Sequence, residues 1–266
     1  MKRLAFLTLA AAFATSAALA GDNDWRLRIK KEADGWTASF SGPSDYGSGP
    51  NRVRGSGVRV ERARALAAFS QLRLDGPIDV TLTQAGGGNQ AIVVADDNIE
   101  PLIETAVEGD TLVVRLKRDA GFTTRSEPTV RINVGALQAI AVHGSGDLGV
   151  ESFKADSLGL NVVGSGDVRF GLVELKDLNV AISGSGDVRL AGRAEQQSWR
   201  VSGSGDVDAR ALAGRAAKVS ISGSGDVDLG VTEQLDVQLS GSGDLSYAGR
   251  PQLRQSVSGS GEISRR

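Results

Sequence analysis

A block of four residues, Gly-Ser-Gly followed by an acid, begins at Gly144, Gly164, Gly184, Gly203, Gly223, Gly241 and Gly259. Successive copies are 20, 20, 19, 20, 18 and 18 residues apart. A unit this short cannot bury an apolar face of its own, so the repeat predicts rows stacked into a solenoid.

Phase within the repeat says what each row is. Leu178, Val180, Ile182, Gly184, Gly186, Val188 and Leu190 share one parity, as do Leu158, Leu160, Val162, Gly164, Gly166, Val168 and Phe170. That is the period of an extended strand, not of a helix. Glycine recurring inside such a pattern marks a bend or a close backbone approach. Ser183, Ser185 and Asp187 then face solvent. The expected fold is all-β: a parallel β-helix with coils of 18–20 residues, right-handed by the usual chirality of parallel connections, with a less regular N-terminal β region.

Residues 1–20 begin with Lys2 and Arg3, continue through an apolar run and end in Ala18-Leu19-Ala20. This is the pattern of a secretory signal peptide cleaved after Ala20, and it predicts a periplasmic or secreted protein. No later apolar run approaches 18 residues, so no transmembrane segment is expected in the mature chain. No cysteine is present, which excludes a lipoprotein anchor and disulfides. Thirty basic against 32 acidic residues and 5% aromatics give no case for nucleic acid as a partner.

Residues 21–57 are polar and rich in Gly, Ser and Pro, which predicts a linker or an N-terminal cap in which Trp25 and Trp36 cover the first row. Residues 58–266 form the β-helix domain, with irregular rows over 58–142 and the repeats over 143–266. In the irregular part Ile78 to Leu82, Ala91 to Val94, Leu112 to Leu116 and Val130 to Val134 read as strands. A helical turn is expected after Asp97-Asn98, where Pro101 lies in its first turn.

Gly55-Ser56-Gly57, Phe69-Ser70-Gln71-Leu72, the run from Ile78 to Gln84, Val94-Ala95-Asp96-Asp97-Asn98 and the run from Asp110 to Val114, followed by the iterated Ser-Gly-Ser-Gly-Asp rows, resemble the bacterial DUF2807 family, also known as the auto-transporter adhesin head GIN domain. The likeness runs from about Val58 to the C-terminus. It implies an exported or envelope-associated right-handed β-helix, and it brings no catalytic residues. Only Ile263-Ser264-Arg265-Arg266 follow Glu262, so no membrane barrel is expected after the repeats.

Gly144-Ser145-Gly146-Asp147-Leu148-Gly149 matches a dinucleotide fingerprint in form, but that motif needs a following helix to receive the pyrophosphate, and a strand pattern follows here. The column Ser145, Ser165, Ser185, Ser204, Ser224, Ser242 and Ser260 has no base beside it beyond the sole histidine, His143, and no nucleophile elbow. No catalytic residues are expected.

The acids Asp147, Asp167, Asp187, Asp206, Asp226, Asp244 and Glu262 should stack at about 4.8 Å, where neighbours repel by roughly 1 kcal/mol in water. Two offsets are available. Each carboxylate can accept N–H bonds within its own turn, and Arg169 and Arg189 can neutralise Asp167 and Asp187. Lower in the sequence Asp206, Asp208, Asp226 and Asp228 place four carboxylates on two rows, an oxygen-rich patch of the kind that attracts Ca²⁺. No other cofactor is expected.

Three functions fit these observations. The first is a non-enzymatic envelope solenoid with an adhesin-like or scaffold role, whose serine and acid columns bind an envelope component, glycan or protein. Against the glycan version, Phe170, Trp199 and Tyr247 fall on the inward parity. The second is a polysaccharide-active β-helix enzyme, although evenly strewn acids do not make a paired-acid cleft. The third is a structural protein that self-associates through the edge of its last row, 256–264.

Overall fold

The computed structural model describes residues 26–32, 35–41, 44–46, 51–86 and 88–266. The expected signal peptide and Trp25 lie outside the described residues. Among those residues no helix is long and apolar enough to cross a membrane.

The repeats stack in parallel, one row directly on the next. On one side Ala139–Gly144 pairs with Ser157–Gly164, and the series continues through 177–184, 196–203, 216–223, 234–241 and Gln252–Gly259. In every pairing the first glycine of one block stands opposite the first glycine of the next. Beyond the Gly-Ser-Gly-acid corner a second side repeats the arrangement, from Leu148–Lys154 through 168–174, 188–194, 207–213 and 227–231 to Leu245–Ala248 and Ile263–Arg265.

Burial along one row shows how the coil closes. Val168 and Phe170 point inward, then Val173 and Leu175, then Leu178, Val180 and Ile182. The inward parity therefore changes twice in one row, and the pairing register shifts between Phe170 and Val173 and again between Arg189 and Gly192 one row later. The two parity changes, near Phe170 and near Leu175, are two further corners that make each coil three-sided, and the register shifts mark the first of them in two successive rows.

Side chains from every row fill the interior as one continuous apolar column. Trp199 is 1% exposed, and its Nε1–H donates to Gln197 Oε1 at 3.0 Å, while Gln197 Nε2 donates to the Ala194 carbonyl at 3.3 Å. This buried amide is thus satisfied at both ends. Phe170 is buried, and Tyr247 is half-buried against the core, so all three aromatics on the inward parity serve packing.

The irregular half resolves into one more row and a lid. Gln71–Gly76 and Asp79–Gln84 lie directly beneath the first repeat row and pair with it in parallel. Below that row come Thr111–Leu116 and Thr129–Val134, also parallel. Ile103–Glu108 and Gln90–Asp96 then pair antiparallel, and Arg59–Ala65 lies antiparallel outside the latter. The expected helical turn is a 3-10 turn at Glu100–Leu102.

Part of the segment expected to be a linker or an N-terminal cap is strand. Arg26–Glu32 pairs with Gly35–Ser41, the strand that contains Trp36. Ser44–Tyr46 and Asn51–Arg54 flank Ala120–Thr124, so this sequence joins the lid instead of hanging free. Alternating residues in 26–41 provided the signal, and the glycines and serines around them masked it.

Candidate functional site

The repeated corner is the most regular feature of the surface. The first glycine of each block has φ between +116° and +143°, a region that L side chains rarely adopt. A Cβ there would lie 2.1–2.8 Å from the carbonyl oxygen of the matching glycine in the preceding row. At the second glycine a Cβ would meet the preceding row's backbone oxygen at 2.1–2.3 Å. Two glycines per row let successive corners nest, and the carbonyl of the first accepts N–H bonds from the next row. Gly164 O, for instance, takes Ser185 N–H at 2.8 Å and Gly186 N–H at 3.1 Å.

The acids complete the same corner. Asp147 Oδ1 accepts the backbone N–H of Asp167 at 2.9 Å, Asp167 that of Asp187 at 3.0 Å, and Asp187 that of Asp206 at 2.9 Å. Asp206, Asp226 and Asp244 in turn accept the N–H groups of Asp226, Asp244 and Glu262, each at 2.8 Å. The acceptors are therefore used between rows, and the offset expected within a single turn is corrected to this ladder. At the tight corner no backbone carbonyl stands over the acid's N–H, so the carboxylate of the row below takes its place.

The ladder has an eighth member that the repeat count missed. Asp79 Oδ1 accepts Asp147 N–H at 2.9 Å, and Gly76 lies opposite Gly144. The spacing Gly76-x-x-Asp79 carries the signal, but Pro77-Ile78 replaces Ser-Gly and 68 residues separate Asp79 from Asp147.

Arginines neutralise the outer column differently from the sequence expectation. Arg169 does reach Asp167, at 2.8 Å, but Arg189 binds Asp208 of the next row at 3.1 Å instead of Asp187. Arg210 grips Asp208 at 2.7 Å and lies 3.9 Å from Asp228, which also pairs with Arg266. At the residues of the calcium expectation, Asp206, Asp208, Asp226 and Asp228, the carboxylates already have partners within the protein. Asp208 and Asp228 hold arginines, and Asp206 and Asp226 each spend one oxygen on the ladder. Among the described residues no group of three or more acid, His or Cys side chains is arranged to hold a metal ion.

Asp79 and Asp208 respond to pH in opposite senses. Burial, reinforced by the charges of Asp147 and Glu127, raises the Asp79 carboxyl above its ordinary value, against the lowering effect of the Asp147 N–H. Ionised Asp79 therefore costs stability at neutral pH, and the cost is relieved as pH falls. The hydrogen bond from Arg210 holds Asp208 well below the usual carboxylate range, so its contribution is complete above about pH 4 and is lost on acidification through the lower folded value. In urea unfolding at pH 7, Asp79→Asn should stabilise the chain and Asp208→Asn should destabilise it, the latter by less than about 1 kcal/mol because water screens the pair. Both differences should shrink at pH 3.

The serine column Ser145, Ser165, Ser185, Ser204, Ser224, Ser242 and Ser260 is exposed along the corner. His143 Nδ1 lies 3.2 Å from Asp75 Oδ1, and the imidazole forms a surface pair with that acid. Between the acid and arginine columns runs a groove of about 280 Å³, bordered by Asp187, Arg189, Asp206, Asp208, Arg210 and Asp226 among others.

The non-repetitive motifs have a separate task. Ser56 Oγ–H donates to Asp97 Oδ1 at 2.5 Å, Ser56 N–H to Asn98 Oδ1 at 3.0 Å, and Asn98 Nδ2 to the Arg54 carbonyl at 2.8 Å. Gly55 lies so close to buried Asp96 that a Cβ would fall 2.1 Å from its Oδ2, which accepts Thr124 Oγ–H at 2.9 Å. Gly55-Ser56-Gly57 and Asp96-Asp97-Asn98 therefore clamp the entering chain to the lid.

With clamp and ladder in place, the family can be assigned. The family described as "Putative auto-transporter adhesin, head GIN domain" (DUF2807) matches residues 68–251. The chain belongs to the DUF2807 family. The crystal structure of a "putative adhesin" from Bacteroides fragilis is 27% identical, covers 80% of this chain and 100% of its own, and superposes with a TM-score of 0.77. A "putative lipid binding protein" from Parabacteroides distasonis is 25% identical, covering 81% and 100%, with a TM-score of 0.65. A second Parabacteroides distasonis structure, a "putative adhesin", is 23% identical with the same coverage and a TM-score of 0.67, and it shares the fold. No curated protein matches the chain. The DUF2807 solenoid thus places acids, serines and arginines in columns along one corner.

Proposed function

We propose that this DUF2807 chain is a non-enzymatic, exported cell-envelope solenoid that works by binding, in the manner of an adhesin or scaffold, through its repeated corner. The uniformity of that corner carries the reading. Row after row presents the same serine and carboxylate, and the acids are spread along the axis instead of converging in pairs. Such a surface suits a ligand with its own repeat, such as an envelope polysaccharide or a fibrous protein. The names of the two relatives at 25% and 27% identity support a binding role. The interior is filled by side chains, so a lipid would have to be met on the outside.

The signal-peptide pattern in residues 1–20 supports export to the periplasm or beyond. The test is an array of glycans and envelope components probed with the exported chain and with Asp206→Asn/Asp226→Asn. Asparagine keeps both ladder acceptors while removing two charges, so folding should be unchanged and binding to the preferred component should fall at least about fivefold. No binding to any component, or release of reducing ends from a polysaccharide, would overturn the proposal.

A further inference from the structure

The two ends of the solenoid are finished differently. The inward column Val162, Ile182, Val201, Ile221 and Leu239 is at most 2% exposed, yet Val257, next in the same column, is 44% exposed. Gln252–Gly259 hydrogen-bonds through one edge to 234–241, and its other edge has no partner among the described residues. At the opposite end Arg59–Ala65 carries Arg59, Glu61, Arg62 and Arg64 in seven residues, and the glutamates of Ile103–Glu108 are bound by Arg115. Charges of that density blunt an edge. Gln252–Gly259 carries only Arg254.

We propose that this edge is a self-association surface, at which two copies join antiparallel about a two-fold axis through Gln255. The sequence of the strand is complementary to itself in that register. Leu253 of each copy stands opposite Val257 of the other, on the inward face, because pairing positions that sum to an even number keep parity. Gln255 meets Gln255 at the axis, and a side-chain amide, being both donor and acceptor, satisfies its own copy. Arg254 faces Ser256 on the outer side. Asp236 occupies the same column one row below Arg254 and has a buried oxygen, Oδ1, without a hydrogen-bond partner. The contact is isologous, so it closes at a dimer and does not grow into a fibre. It extends the solenoid without using the corner columns, and it stands or falls independently of the binding role proposed above.

Sedimentation velocity of the exported chain tests the idea. One strand makes a small interface, so the average mass should double between roughly 1 and 200 µM. Val257→Lys should hold the chain monomeric over that range, whereas Val163→Lys, at a mid-solenoid valine that is 41% exposed, should leave the dimer intact. A second probe does not depend on the lysine variant folding. The chain has no cysteine, and residues facing each other across an antiparallel pair have Cα atoms about 4.5–5.5 Å apart, within disulfide reach. Mild oxidation should therefore link Gln255→Cys into a dimer and leave Ser224→Cys monomeric. A monomer at every concentration, mass growth past the dimer, or equal behaviour of the paired variants would overturn the proposal.

Discussion

Gly184→Ala is expected to lower stability by at least about 3 kcal/mol, and the thermal midpoint by roughly 10 °C. Two faults coincide at this position. The backbone has φ +133°, and the new Cβ would fall 2.2 Å from Gly164 O. That oxygen cannot move without weakening the bonds from Ser185 and Gly186. Gly203 nests on Gly184 from the other side, so the disturbance passes to a third row.

In a solenoid each row is stabilised by its neighbours, and a broken middle row separates the rows on either side. The unfolding curve of Gly184→Ala should therefore lose cooperativity as well as shift. Gly149→Ala is the matched control. No atom lies within 4 Å of a Cβ at Gly149, and its φ is outside the left-handed region, so alanine there should be neutral or slightly stabilising. Equal losses from the two variants would show that nested corners do not govern stability.

The stacking was legible in the sequence because the reason for each glycine is also the reason for the register. A pair of glycines every 18–20 residues is required only where one corner touches the next, so counting Gly184, Gly203 and Gly223 gives both the period and which residues lie above which. The sides between corners were less legible. The parity break near Phe170 carries a glycine, Gly171, but its counterparts Gly192, Gly214 and Gly230 recur at uneven spacing and without a flanking motif, and the break near Leu175 has no glycine, so burial and pairing register are what reveal them.

The site divides in the same way. Ser185 and Asp187 could be placed outside from parity, but the partner of Asp187 could not. Its acceptor is filled by Asp206 N–H, 19 residues away, and nothing local to Asp187 signals that. Arg189 is a similar case. It is two residues from Asp187 in sequence and pairs across the row gap with Asp208, where Arg210 also binds. Asp79 was hidden because the chain leaves the solenoid to build the lid before it returns at Asp147.

The ladder bond makes the second large prediction, which separates the oxygen of the aspartate from its charge. Asp187→Ala removes the acceptor for Asp206 N–H at an exposed corner where no backbone carbonyl can replace it and only water can, so the lost bond costs about 0.5–1.5 kcal/mol. Asp187→Asn keeps an acceptor oxygen in the same place. It weakens one charge-assisted bond but removes repulsion of roughly 1 kcal/mol from each of two neighbouring carboxylates, so the net change should stay within about 1 kcal/mol of zero. Hydrogen exchange locates the effect: Asp187→Ala should speed exchange at the Asp206 amide by tenfold or more, and Asp187→Asn should leave that amide protected. If the two variants exchange alike, the carboxylate oxygen is not holding the rows together, and the acids are surface charges that happen to align. If they separate as expected, the fold requires the oxygen alone. The negative charge is then free to serve binding, and that freedom makes the Asp206→Asn/Asp226→Asn variant a fair test of the corner as a recognition surface.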